Sequence, residues 1–186
     1  KEGSAEAIRG LRAAGVKQTV MLTGDRADLA EAESTGLSAP LLQRLRFDAP
    51  KLAQVQAGLS ALGTLPDPLD QTVFCHEITE GLKLYRVTCP IGVLGVVFES
   101  RPDALIQISS LAIKSGNSVL LKGGREALRT NQALIVSVQK ALSLAGFSPD
   151  AAQLLETRED VTAMLKEDEL IDLIIPRGSN AFVRYI

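Results

Sequence analysis

Three short runs in the chain place charged and small residues directly after apolar stretches. An open parallel sheet presents its ligand edge at such positions. Leu121-Lys122-Gly123-Gly124-Arg125-Glu126 reads as a strand end, a tight turn and a helix start. Two glycines would let a phosphate or ribose approach the backbone, a helix start favours an anion, and Lys122 adds a positive charge. Phe98-Glu99-Ser100-Arg101-Pro102 sets three polar residues after a wholly apolar run, and the proline can open a helix. Ile175-Pro176-Arg177-Gly178-Ser179 repeats the pattern of strand end, basic residue, glycine and helix start. Taken singly, each run also fits an ordinary turn with a solvated lysine, a helix cap with a surface ion pair, or a strand-to-helix bend. Three such turns on neighbouring strands would converge on one crevice, and their convergence favours a site. Neither a G-x-G-x-x-G fingerprint nor a P-loop is present, so any nucleotide would be held by another route.

The remaining reactive side chains point away from other chemistries. Cys75 and Cys89 make neither a disulfide framework nor a metal cluster, and His76 alone leaves a zinc site short of ligands. Neither cysteine follows a strand-to-helix turn, and His76 adjoins Cys75, so in a strand the two would face opposite ways. Both cysteines read as structural and inert. A net charge of -2 gives no basic excess for a nucleic-acid or membrane-surface partner. Without tryptophan, and with 4% aromatic residues, platforms for stacking bases are also not expected. The longest apolar runs, Gly92 to Phe98 and Leu170 to Pro176, are far too short to span a bilayer and read as buried strands. Lys1 to Ala5 lacks the apolar stretch of a signal peptide. A soluble, cytoplasmic protein in a reducing compartment is expected.

The elements needed to position the three turns follow from periodicity. Ser4 to Ala14 repeats apolar residues at helical spacing, and Val16 to Leu22 reads as a strand ending in Thr23-Gly24-Asp25. Ala27 to Ser34, Ala39 to Leu45 and Ala49 to Leu62 read as helices, the last capped by Asp48. Pro66-Asp67-Pro68 breaks this helical region. Val73 to Ile78 and Leu82 to Val87 alternate like a hairpin turning near Glu80-Gly81. Strand Gly92 to Phe98, helix Asp103 to Lys114, strand Ser118 to Leu121 and helix Arg125 to Ala145 follow. Strand Ala152 to Leu155, helix Arg158 to Lys166 and strand Ile171 to Ile175 complete the alternation. The order predicts an α/β fold, with a parallel Rossmann-like sheet and covering helices. Three segments are expected: an atypical 1–27, a helical lead-in 28–68, and a nucleotide-binding α/β region 69–186.

These residues closely resemble gamma-glutamyl phosphate reductase. The resemblance runs through Cys89-Pro90-Ile91-Gly92 to Glu99-Ser100-Arg101-Pro102, then Ser115-Gly116-Asn117-Ser118 to Lys122-Gly123-Gly124, then Glu126-Ala127. It also takes in Ile175-Pro176-Arg177-Gly178-Ser179 and the lead-in from Asp28-Leu29-Ala30 to Leu65-Pro66-Asp67-Pro68. Asp103-Ala104-Leu105 is more like the reductase half of bifunctional pyrroline-5-carboxylate synthases, although these 186 residues include no kinase-like segment. The resemblance implies an aldehyde dehydrogenase fold, truncated before its catalytic domain, and NADPH-dependent reduction of gamma-glutamyl phosphate to glutamate-5-semialdehyde in proline biosynthesis. In that family a cysteine thiolate expels phosphate and the thioester is then reduced, so one hard step becomes two.

The resemblance also implies roles for particular residues. Lys122 matches the lysine that meets the adenosine ribose. Arg125 stands where NAD-selecting members carry an acid, which suits the 2′-phosphate of NADP. Gly123 and Gly124 complete that turn, and Arg177, Gly178 and Ser179 match a loop lying along the cofactor. Ser100 falls near an oxyanion-side position, and Arg101 would meet the anionic substrate. The catalytic cysteine is expected beyond Ile186, matched by neither Cys75 nor Cys89, and the full-length protein is expected to form a homo-oligomer. Residues 1–26 instead resemble a heavy-metal P-type ATPase segment around Thr23-Gly24-Asp25, without the phosphorylated Asp-Lys-Thr-Gly-Thr motif. A fusion, a spliced gene model or chance would explain the junction. The alternative to a reductase fragment is a non-catalytic dinucleotide-binding module or an ATPase remnant.

Overall fold

The computed structural model describes residues 28–99, 101–178 and 183–184. The expected helix Ser4 to Ala14, the strand Val16 to Leu22, the ATPase-like segment, Ser100 and Ser179 lie outside the described residues. A helix over 28–34 (α1) opens the described part. Helices α2 (Ala39–Leu45) and α3 (Ala49–Thr64) complete the lead-in. Asp48 caps α3 by accepting from the Lys51 backbone N–H at 3.1 Å, which satisfies one of the unpaired donors of the first turn. The hairpin follows as β1 (Thr72–Thr79) and β2 (Leu82–Val87), an antiparallel ribbon whose residues are all exposed.

The main sheet holds β3 (Val93–Phe98), β4 (Ser118–Lys122), β5 (Ala152–Leu154) and β6 (Leu173–Arg177). All are parallel, in the order β5-β4-β3-β6. Helices α4 (Pro102–Lys114), α5 (Leu128–Leu144) and α6 (Arg158–Met164) make the crossovers. The chain first builds outward from β3 to β5 and then returns to lay β6 on the other side of β3. This reversal is the topological switch of a doubly wound sheet.

The apolar run of β3 exists because both of its faces are covered. Leu94, Val96 and Phe98 face the larger core, with Leu105 of α4, Leu121 of β4, and Leu134 and Val138 of α5. Val97 faces the other way, against Val161 and Met164 of α6. Gly95 shares that second face, and a Cβ there would lie 2.8 Å from the Met164 sulfur, so α6 can sit close only over glycine. Leu105 and Leu121 are fully buried. Cutting either back to alanine would cost about 2–5 kcal/mol.

Local polar contacts fix where the strands begin. The Asn117 side-chain oxygen accepts from the backbone of Ile91 at 2.7 Å and of Gly92 at 2.8 Å, which pins the entry of β3 to the end of α4. Asp172 accepts from Val93 N at 2.8 Å. Its carboxylate occupies the place where a Cβ on Gly92 would stand, and Gly92 has φ +129. That position needs glycine on both counts.

Three sequence expectations change. The helix expected over Arg125 to Ala145 divides into a 3₁₀ turn, Arg125–Ala127, and α5. Ala127 leaves α geometry (φ -116, ψ 17) and buries itself against Ala32 and Leu45 of the lead-in. The strand expected over Ile171 to Ile175 is displaced to Leu173–Arg177, because Ile171 packs against the second core and Asp172 is held by Val93. Among the described residues β6 pairs only with β3, so the ladder does not need the N–H that Pro176 lacks. Helix α6 ends at Met164 rather than Lys166, with Leu165 as its cap.

Candidate functional site

The carboxyl ends of β3, β4 and β5 open into a cavity of about 1000 Å³. Val97, Phe98 and Glu99 from β3, Lys122 to Glu126 from the β4 turn, and Glu156 to Glu159 from the β5–α6 turn line it. Leu128, Val161, Thr162 and Leu165 complete the wall. An apolar floor is ringed by three cations, Lys122, Arg125 and Arg158, and four carboxylates, Glu99, Glu126, Glu156 and Glu159, which suits a ligand with a flat apolar group, anionic groups and hydroxyl donors.

Lys122 ends β4 in register with Val97, half-buried. Its Nζ donates to the Gly123 carbonyl at 2.6 Å. Burial pulls its pKa below the usual lysine value, and the Glu126 and Asp160 carboxylates work against that fall. Lys122 is therefore an amine held in partly dry surroundings beside an open cavity, where an added anion would favour its charged form.

Gly123 is buried, and its absent side chain has a packing reason. A Cβ there would collide with the Asn131 amide nitrogen and lie 3.2 Å from a Phe98 ring carbon. Asn131 is itself 1% exposed, and its Oδ1 has no hydrogen-bond partner among the described residues. A Cβ on Gly124 would instead meet the flexible Glu126 carboxylate. Arg125 is exposed and borders both this cavity and a smaller one beside Asp28 and Glu31 of the lead-in. Asp28 accepts from the Thr130 backbone at 2.9 Å and the Thr130 hydroxyl at 2.6 Å, so α1 is tied to the first turn of α5 near Arg125.

The β5–α6 wall is built by a capping box. The Asp160 carboxylate accepts from Thr157 N at 2.8 Å and Glu156 N at 3.0 Å, and Thr157 Oγ1 accepts from Asp160 N at 3.0 Å. The Thr157 backbone bond, then its hydroxyl, then the Glu156 backbone hold the Asp160 carboxyl below the ordinary aspartate pKa. Sequence reading located this helix but gave its turn no part in the site. The Thr157-x-x-Asp160 pattern was the signal that could have marked the wall.

The three expected turns do sit on neighbouring strands, β4, β3 and β6. They do not all open into one cavity. Lys122, Gly123, Gly124 and Arg125 line the large cavity, whereas Arg177 ends β6 exposed, opposite Phe98, and is not part of its wall. Gly178 follows it, also exposed. Arg101 caps α4 outside the cavity, exposed, with its Nη2 2.9 Å from Asp103 Oδ2. It lines a separate cleft with Pro40, Gln43, Arg44 and Lys51. Cys75 and Cys89 are exposed, and neither lines the cavity or the cleft. Among the described residues no group of three or more His, Cys, Asp or Glu could hold a metal, and no helix is long and apolar enough to cross a membrane.

No family model matches the chain. It is 55% identical over 166 residues to the gamma-glutamyl phosphate reductase of Pelotomaculum thermopropionicum, covering 89% of this chain and 38% of that protein. The Acetivibrio thermocellus gamma-glutamyl phosphate reductase is 54% identical over the same length. The chain thus spans a little over a third of the curated relatives it matches. Among solved structures, gamma-glutamyl phosphate reductase from Thermotoga maritima superposes with a TM-score of 0.92 at 27% identity, over 99% of this chain and 45% of that one. The Saccharomyces cerevisiae protein of the same name gives 0.90 at 38% identity, over 48% of its length. A propionaldehyde dehydrogenase from Rhodopseudomonas palustris, 17% identical with a TM-score of 0.69, shares the fold. The described chain is therefore an α/β unit of aldehyde dehydrogenase type, similar in sequence and structure to gamma-glutamyl phosphate reductases.

Proposed function

We propose that this chain is the amino-terminal, cofactor-binding part of an NADPH-dependent gamma-glutamyl phosphate reductase, which makes glutamate-5-semialdehyde in proline biosynthesis. The observation that carries the proposal is the cavity at the carboxyl ends of β3 to β5, with Lys122-Gly123-Gly124-Arg125 on one wall. The relatives that share at least half their aligned residues with this chain support it. NADPH, when bound, supplies the hydride for the reduction. The donor set fits such a group: Val97, Leu128, Val161 and Leu165 offer an apolar surface for a ring, and Lys122 the half-buried charge for ribose or phosphate. Arg125 offers a guanidinium for a 2′-phosphate, with Arg158 across the same cavity. Gly178, beyond Arg177, would extend the cofactor's bed from the end of β6, and the resemblance assigns Ser179 to the cofactor and Ser100 to the oxyanion. An engineered glycolyl-CoA reductase of the same fold, 18% identical, holds NADP+.

The substrate would be gamma-glutamyl phosphate, and the full-length protein a cytoplasmic homo-oligomer. Apolar side chains exposed along the β1–β2 ribbon, among them Val73, Ile78, Leu82 and Tyr85, support a subunit contact. The test is differential binding. NADPH should quench or shift fluorescence in titration of the full-length protein at lower concentration than NADH. Arg125→Glu should reduce that preference roughly tenfold or more, the worth of one charge-assisted contact. A variant that keeps the full preference would remove Arg125 from the 2′-phosphate site.

A further inference from the structure

A second cleft, of about 730 Å³, lies between the lead-in helices and the start of α4. Its lining is Pro40, Gln43, Arg44, Lys51 and Arg101: three cations and no acid. Beneath it, Asp103 presents one carboxylate to two of the cations. Oδ2 accepts from Arg101 Nη2 at 2.9 Å, while Oδ1, buried and without a hydrogen-bond partner among the described residues, lies 3.5 Å from Lys51 Nζ. The Asp103 side chain is 5% exposed, against 24% for Lys51 and 45% for Arg101. The carboxylate therefore stays behind the cations and the cations face the opening. Lys51 Nζ also leans on the Arg44 carbonyl at 3.4 Å, which brings the third cation's backbone into the same group. Three positive charges beside one carboxylate repel one another, and a ligand with two negative charges would relieve that repulsion.

Resting on the function proposed above, we infer that Arg44, Lys51 and Arg101 receive the phosphoryl group of the acyl phosphate, and that Asp103 is a positioning residue that aims Lys51 and Arg101 at it. The cleft and the nucleotide cavity are adjacent along the chain: Glu99 lines the cavity and Arg101 the cleft. Residues only two positions apart at the end of β3 thus reach the cavity and the cleft, so the loop that walls the cofactor cavity also supplies a cation to the cleft. Guanidinium forks and an ammonium match the oxygens of a phosphate dianion. A purely mechanical role for the cluster is not needed to dock the lead-in. Val55 and Leu59 of α3 already join the main core, and Lys114 Nζ clamps the far end of α3 through the Leu65 carbonyl at 2.7 Å.

The reverse reaction separates the possibilities, because inorganic phosphate is then a substrate in its own right: glutamate-5-semialdehyde, phosphate and NADP+ give gamma-glutamyl phosphate, NADPH and a proton. In the full-length protein, Lys51→Met and Arg44→Met should each raise the KM for phosphate about tenfold to a hundredfold. The KM values for aldehyde and NADP+ should stay unchanged, and Lys51→Arg should recover most of the loss. A rise in the aldehyde KM instead would mean that the cleft holds the substrate's α-carboxylate, and would overturn the phosphoryl assignment. Unchanged constants for both would reduce the cluster to a structural clamp. A wild-type protein without reductase activity would sink the functional reading but leave the cleft to a direct measurement. Phosphorus NMR titration with inorganic phosphate should show binding that weakens in Lys51→Met, and equal binding by both proteins would refute the cleft.

Discussion

Gly123 offers a sharp separation of packing from ligand contact. Its position suggests that glycine is there so that a cofactor can approach the backbone, yet an added Cβ would point into the protein. It would strike the Asn131 amide nitrogen and press to 3.2 Å on the Phe98 ring. Phe98 is 2% exposed and Asn131 1%, so neither has room to withdraw. No positive φ applies at Gly123, and Gly123→Ala therefore acts through volume alone. Overpacking a tight interior by one methyl costs about 1–3 kcal/mol. For a chain of 186 residues, a loss near 2 kcal/mol would lower Tm by roughly 4–8 °C. Thermal unfolding followed by circular dichroism measures it, alongside NADPH titration below the transition. The second half of the prediction is rescue. Asn131→Ala removes the obstructing amide and a buried oxygen that has no hydrogen-bond partner among the described residues. The double variant should regain at least half of the lost stability, a coupling of about 1 kcal/mol or more. If Gly123→Ala leaves Tm unchanged and weakens NADPH binding, the packing account is wrong and the glycine is there for the ligand.

The capping box at Thr157 and Asp160 makes α6 acid-sensitive. Asp160 has a lower pKa folded than unfolded, so its contribution is complete above the ordinary aspartate value near 3.8 and is lost as pH falls through the folded value. Hydrogen exchange of the α6 amides should therefore rise as pH is lowered below about 3.8, after correction for the intrinsic rate, and Asp160→Asn should remove this pH dependence. Thr157→Ala should cost about 1 kcal/mol in urea unfolding, and should weaken NADPH binding if the β5–α6 turn is a cofactor wall. The 186-residue chain by itself should show no reduction of gamma-glutamyl phosphate, since neither Cys75 nor Cys89 borders the cavity or the cleft. Turnover by this chain, abolished by Cys75→Ser or Cys89→Ser, would overturn that expectation.

Elements whose signal is local were legible in the sequence. The hairpin turn at Gly81 and the parallel strands β3 and β4 were among them. So was the helix stop before Asn117, because apolar period, glycine and proline act over a few residues. The Lys122-Gly123-Gly124-Arg125 turn was legible as a strand-to-helix corner for the same reason. Features that depend on a distant partner were hidden. Asp172 reaches Val93 across 79 residues and thereby moves the start of β6. Asp103 gathers Lys51 from a helix some fifty residues earlier, so sequence reading saw Arg101 without the cluster around it. Ala127 breaks the expected long helix only because the lead-in offers it a place to bury. The reason for Gly123 was hidden too, since its neighbour Asn131 is recognisable as an obstacle only once α5 is packed under the turn.

The β1–β2 ribbon has a consequence for how the molecule can be watched. Every residue of both strands is exposed, and among the described residues the strands pair only with each other. A lone two-stranded ribbon is marginal in water, whatever the stability of the neighbouring core. Its amides should open and trade hydrogen for deuterium by local fraying, far sooner than those of β3 and β4, which open only when the core does. The exchange rate of Phe74 to Ile78 and of Leu82 to Arg86 is thus a built-in gauge of contact. While the ribbon stands in water the gauge runs fast, and any surface that covers it will slow it without disturbing the signal from the central sheet.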